Sequence, residues 1–225
     1  MSQRAQRIDL HVHTFFSDGA LLPSELVRRA VVKGYRSLGI TDHADSSNLE
    51  QLAEWLLRFV EEQGHDWPLR IVPGVELTHV APGRIGALAE RAKELGLPLV
   101  VVHGETPVEP VEAGTNAAAV ECPHVDILAH PGFVTLREAK LAAANGVHLE
   151  ISTRQGHCLT NGHVAQVARQ AGARLLVNSD AHTPADLVDQ AFARRVAAGA
   201  GLTQVEVEIA TVTNPSALVA RLLSP

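Results

Sequence analysis

Six apolar runs in this chain end in histidine, aspartate or glutamate, the side chains that bind metal ions. The endings are Asp9-Leu10-His11-Val12-His13, Thr41-Asp42-His43, Pro73-Gly74-Val75-Glu76, Val102-His103-Gly104, Ala129-His130-Pro131-Gly132 and Ser179-Asp180-Ala181-His182. With Asp18, just past the first run, the candidate set is six histidines and three carboxylates. Structural packing has no need for nine such groups in one place; several metal ions do. Residues i and i+2 of a strand face the same side, so His11 and His13 can hold one ion together. Asp180 and His182 repeat that spacing. Neutral imidazole suits zinc, iron or manganese, and a carboxylate such as Glu76 can bridge two ions.

The elements that must position these groups alternate along the chain. Short apolar runs near 7–12, 37–41, 70–75, 98–102, 126–129, 147–151 and 174–178 read as strands. Helices are expected between them, over about 23–33, 48–62, 83–95, 135–144, 161–171 and 184–198, several closed by glycine or opened by proline. Strands alternating with helices imply right-handed βαβ units and a parallel sheet. Seven such strands with no linker point to a barrel, with chemistry at the C-terminal rim. The whole chain, 1–225, is expected to form one domain. Its segment 201–225 is read as a helical extension, broken at Asn214-Pro215 and without chemistry.

Composition narrows the function classes. At 225 residues and 46% hydrophobic, the chain can bury a large core. A formal charge of −6 argues against a broad nucleic-acid or anionic-membrane surface. No apolar stretch approaches the roughly 18 residues of a membrane-spanning helix. The N-terminal stretch before the first strand is polar and basic and lacks the apolar region of a secretory signal, so a cytoplasmic location is expected. Cys122 and Cys158 form no CxxC pair and read as reduced thiols.

The motifs His11-Val12-His13-Thr14, Ser17-Asp18-Gly19, Thr41-Asp42-His43-Ala44, Pro73-Gly74-Val75-Glu76, His103, Ala129-His130-Pro131-Gly132 and Ser179-Asp180-Ala181-His182 resemble those of the PHP (polymerase and histidinol phosphatase) family of metal-dependent phosphoesterases. They arrive in order across residues 9–182. The resemblance implies a distorted seven-stranded (β/α)7 barrel with a trinuclear centre of divalent transition metals. Carried onto this chain, one ion would take His11, His13, Glu76 and Asp180. A second would share Glu76 and take His103 and His130, and a third would use Asp18, His43 and His182. Some family members have histidine where this chain has Asp18, which keeps a ligand but bears on metal preference.

Charge then points to an anionic substrate. Three divalent ions bring six positive charges, and ionised Asp18, Glu76 and Asp180 return three. The remainder holds a hydroxide and a phosphate dianion nearly neutrally, which suits hydrolysis of a small, histidinol-phosphate-like monoester by a metal-bound hydroxide. Asp180 or His182, or a water, is placed to protonate the leaving alkoxide. Arg154, after the sixth strand, either grips phosphate or braces a loop. His79 either faces substrate or braces Glu76. Glu105 is a candidate brace for the site, and Gly114-Thr115-Asn116 either offers amides to substrate or closes a loop. His157 is a further candidate; His65, His124, His148 and His163 read as ordinary histidines. Two alternatives remain beside the monoesterase: a phosphodiesterase or exonuclease on nucleotides or short oligonucleotides, and an amidohydrolase or non-catalytic metal-binding domain.

Overall fold

A computed structural model describes residues 7–224. Seven parallel strands follow one another around the sheet in chain order. They are β1 (Arg7–Val12), β2 (Tyr35–Ala44), β3 (Arg70–Leu77), β4 (Leu99–His103), β5 (Ile127–Ala129), β6 (His148–Ser152) and β7 (Leu175–Asn178). Between them run α1 (Pro23–Val32), α2 (Leu49–Gln63), α3 (Pro82–Glu94), α4 (Thr115–Glu121), α5 (Leu136–Asn145) and α6 (Asn161–Ala171). The chain ends in α7 (Gln190–Gly199), α8 (Gln204–Glu208), a π turn (Ile209–Thr213) and α9 (Asn214–Leu222). The architecture is the expected (β/α)7 barrel, nearly closed. Among the described residues no helix is long and apolar enough to cross a membrane.

Strand alternation sorts side chains into two apolar layers. Val75, Leu77, Val100, Val102, Leu128, Leu149, Ile151 and Val177 face the helices. Ile8, Leu10, Val72, Leu99, Val101, Ile127 and Leu176 fill the interior, where Leu218 and Val219 of α9 join them. The C-terminal segment thus packs against residues on the early part of the strands, away from the histidines. Strict alternation would set His11 and His13 opposite to Leu10. A register shift between Asp9 and Val12 in the β1–β2 pairing breaks the period there, and both sets point inward.

The β1–β7 seam carries four of the nine candidate ligands, His11, His13, Asp180 and His182. Its backbone pairing is one parallel bridge, Val12 to Ala181, with His13 N donating to Ala181 O (2.9 Å) and Asp180 N to His11 O (2.9 Å). Buried side chains complete it. Arg7 Nη1 donates to Val177 O (2.8 Å), Leu10 N to Asn178 Oδ1 (3.0 Å) and Ser179 N to Asp9 Oδ1 (3.1 Å).

Several elements differ from expectation. The helix expected over 184–198 starts at Gln190, because Asp186 accepts from His182 N and Thr183 N and holds a turn, while Asp189 caps the helix. Helix α4 (Thr115–Glu121) is additional to the six helices expected. Asn214-Pro215 is no break: the π turn before it, with its bonds offset from the α pattern, joins α8 to α9, and proline falls in the first turn after that offset.

Candidate metal centre

All nine expected ligand residues gather at the C-terminal rim. His11 Nε2 lies 3.2 Å from Glu76 Oε1 and 3.7 Å from Asp180 Oδ1. His13 Nε2 lies 3.1 Å from Asp180 Oδ1 and 3.7 Å from Glu76 Oε2. His130 Nε2 is 3.6 Å from both Glu76 Oε1 and Asp180 Oδ2. On the outer side, Asp18 Oδ1 sits 3.4 Å from His43 Nε2 and 3.1 Å from His182 Nε2. Ligand atoms lie within 4.8 Å of one another in the groups His11–His13–Asp180, His11–Glu76–His130, His13–Asp18–His43–His182 and His103–His130–His157.

Unpartnered atoms show that this donor set fits metal ions. His11 Nε2, His13 Nε2, His130 Nε2 and Glu76 Oε1 are buried and find no hydrogen-bond partner among the described residues. A buried polar atom without a partner costs about 1–3 kcal/mol, and a shared cation would relieve all four at once. The backbone carries strain at the same place. The non-glycine residues with positive φ among those described are His79 (52°), His130 (25°) and Asp180 (52°), all at this rim.

Charge coupling reinforces the picture. Burial opposes a charge on His11, but Glu76, Glu150 and Asp180 outweigh it and raise its pKa well above the ordinary value. Burial pushes His13 down to about 3 against the pull of Asp180. His43 is held up at about 10, because hydrogen bonds to Asp18 and Glu76 overcome its burial. Glu76 and Asp180 stay well below the carboxylate range, burial being outweighed by the surrounding histidines.

Several residues that orient the candidate ligands escaped sequence reasoning. Glu150 Oε2 is 2.8 Å from His11 Nδ1 and accepts from Asn178 Nδ2 at 2.9 Å. Thr78 Oγ1 is 2.6 Å from His43 Nδ1. Asp42 accepts from Thr14 N, Thr14 Oγ1 and Ser17 Oγ at 2.7–2.8 Å, which folds the loop carrying Asp18 back over β1. Gly19 allows that fold: a Cβ there would lie 2.6 Å from His13 C and O. The available signal for Glu150 was its alternation with His148 and Ser152 on the inward face of β6.

Other candidates fall as follows. Arg154 Nη1 donates to Asp180 O (2.9 Å), lies 3.5 Å from Asp180 Oδ1 and abuts His182 Nδ1. His79 contacts Glu109 (3.2 Å) and stacks near His103 rather than bracing Glu76. Glu105 braces a loop instead of a ligand: its Oε1 accepts from Gly114 N and Asn116 N, so those amides are not free for substrate. His157 is buried, stacked on His130 with centroids 4.1 Å apart, and its Nδ1 is 2.8 Å from Thr106 Oγ1. Cys122 and Cys158 are free thiols. His163 bonds to Val134 O.

Comparison with known proteins agrees with this geometry. The PHP domain model matches residues 9–107. An uncharacterized protein of Methanocaldococcus jannaschii is 48% identical over 96% of this chain and 100% of its own length. A probable phosphatase of Shewanella pealeana is 30% identical over 96% of this chain and 92% of its own. The histidinol phosphate phosphatase of Lactococcus lactis, solved with zinc, L-histidinol and phosphate, shares the fold at a TM-score of 0.60 and 15% identity, covering 88% of this chain and 95% of that one. The chain belongs to the PHP family and is a metal-dependent hydrolase.

Proposed function

We propose that this protein hydrolyses a small phosphate monoester, histidinol-phosphate-like in class, with three divalent transition-metal ions. The observation that carries the reading is the convergence of unpartnered imidazole nitrogens and carboxylate oxygens at one rim, with an arginine beside them. His11, His13, Glu76 and Asp180 would hold one ion, Glu76, His103 and His130 a second, and Asp18, His43 and His182 a third. Zinc, manganese or iron all suit this donor set. The ions supply Lewis acidity and activate water for attack on phosphorus.

The chain's own groups do the rest. Glu76 lies within 3.7 Å of four imidazoles, from His11, His13, His43 and His130, so it can join two ions and hold their spacing. Arg154, fixed through Asp180 O, keeps part of its guanidinium at the open rim to bind a non-bridging phosphate oxygen. Asp180 and His182 lie next to that arginine and would orient the water that protonates the leaving alkoxide, since Asp180 itself is held ionised.

The test is restoration of metal to stripped protein with manganese, iron or zinc, followed by hydrolysis of p-nitrophenyl phosphate and its bis-ester. Metal-dependent turnover of the monoester, preferred over the diester, is expected. Preference for the diester would replace this reading with a phosphodiesterase, and no turnover of either after reloading would remove it.

A further inference from the structure

Glu109 stands in the 104–114 loop between β4 and α4, outside the nine ligands, and three imidazoles aim at it. Its Oε2 is 3.1 Å from His103 Nε2 and 3.2 Å from His79 Nε2, and its Oε1 is 3.3 Å from His157 Nε2. The other nitrogen of His103, Nδ1, faces the carbonyl of Gly104 at 3.1 Å. A carbonyl only accepts, so that nitrogen carries the proton, and in the neutral ring Nε2 presents a bare lone pair. Nε2, 3.1 Å from a carboxylate oxygen, therefore needs a proton or a metal cation between them, and Glu109 favours either one there. The spacing itself is suggestive: two donors each about 2.1 Å from a tetrahedral ion stand roughly 3.4 Å apart.

We propose that Glu109 is an additional protein ligand to the ion that His103 binds, held in place by His157 and His79. The proposal rests on the metal-dependent reading above. The neighbouring contacts agree with it. Thr106 Oγ1, 2.8 Å from His157 Nδ1, can donate to that nitrogen, and His157 Nε2–H can then donate to Glu109 Oε1. His79 reaches the same carboxylate from a left-handed backbone conformation at φ 52°, which needs a compensating contact. The loop is tied down on either side, by Glu105 Oε1 on Gly114 N and by Val111 N on Glu109 O.

The test uses the metal-loaded full-length protein. Wild type, Glu109→Gln, Glu109→Ala and His65→Ala are dialysed against a graded series of chelator concentrations. Bound manganese or zinc is counted by elemental analysis, and folding is followed by circular dichroism. The ligand reading expects both Glu109 variants, still folded, to lose one ion at ten- to hundredfold lower chelator strength than wild type. His65→Ala should track wild type. Retention identical to wild type in folded Glu109→Ala, with only KM altered, overturns it and makes Glu109 a substrate contact. Wild type that holds no ion would instead remove the metal-dependent reading itself.

Discussion

Glu150→Gln isolates the contribution of a residue that touches no expected ion. The carboxylate and His11 are both fully buried, and Oε2 sits 2.8 Å from Nδ1. That bond puts the proton on Nδ1 and leaves Nε2 facing Glu76 and Asp180, where it would bind metal. Asn178 Nδ2 donates to the same oxygen at 2.9 Å, so the orientation of the carboxylate is set. Glutamine keeps the volume and an acceptor oxygen but not the charge. A hydrogen bond to a charged group contributes about 1.5–3 kcal/mol against about 0.5–1.5 for a neutral one. The difference, on the order of 1.4 kcal/mol, is tenfold in affinity, and further misorientation of His11 carries it toward the hundredfold seen when such partners are lost. Competition with a calibrated chelator should show one ion bound ten- to hundredfold more weakly, with kcat largely restored at saturating metal. Affinity within twofold of wild type in a folded variant would refute the orienting role.

Three further outcomes are expected. Glu76→Gln should cut kcat/KM by roughly a hundredfold or more, because a bridging charge serves two ions, whereas His65→Ala, in an exposed turn, should stay near wild type in the same assay. Gly132→Ala should destabilise the fold by more than about 2 kcal/mol in urea melts: φ is +59° and a Cβ would lie 1.8 Å from Glu105 O, which is rigid backbone. A wild-type midpoint would contradict that. His148, buried at the start of β6 and far from the rim, is held down to about 4 by its burial, with Arg174 and Arg221 adding to it. Its folded value lies below the unfolded 6.5, so the unfolded chain gains the proton first as pH falls. Stability is then full above pH 6.5 and drains toward pH 4, by about 2 kcal/mol at pH 5. Urea midpoints of the metal-free protein at pH 7 and 5 should lie closer together in His148→Gln than in wild type by that amount, and an unchanged pH slope would reject the assignment.

What could be read from the residues alone was the set of groups that are expensive to leave where they are. A histidine or glutamate closing a run such as Leu99–Val102 or Ile71–Val75 has no reason to stand at a buried strand end unless something binds it. The candidate ligands are therefore written locally, as is the alternation of strand and helix that builds the barrel. Partnership is not. Glu150 meets His11 across 139 residues of sequence, Thr106 meets His157 across 51, and Glu109 lies on a loop with no local signature. Those pairings exist only once seven strands close and β1 meets β7. The register shift in β1, which turns His11 and His13 inward beside Leu10, comes from pairing with β2 and cannot be seen in β1 itself. The same holds for the tail, where Asn214-Pro215 reads as a break. There Asn214 Nδ2 donates to Leu175 O, and Leu218 and Val219 enter the barrel interior, so a helix persists through a sequence that locally opposes it. Burial energy and hydrogen bonds made at long range outweigh local propensity at these points, and only the tertiary structure supplies them.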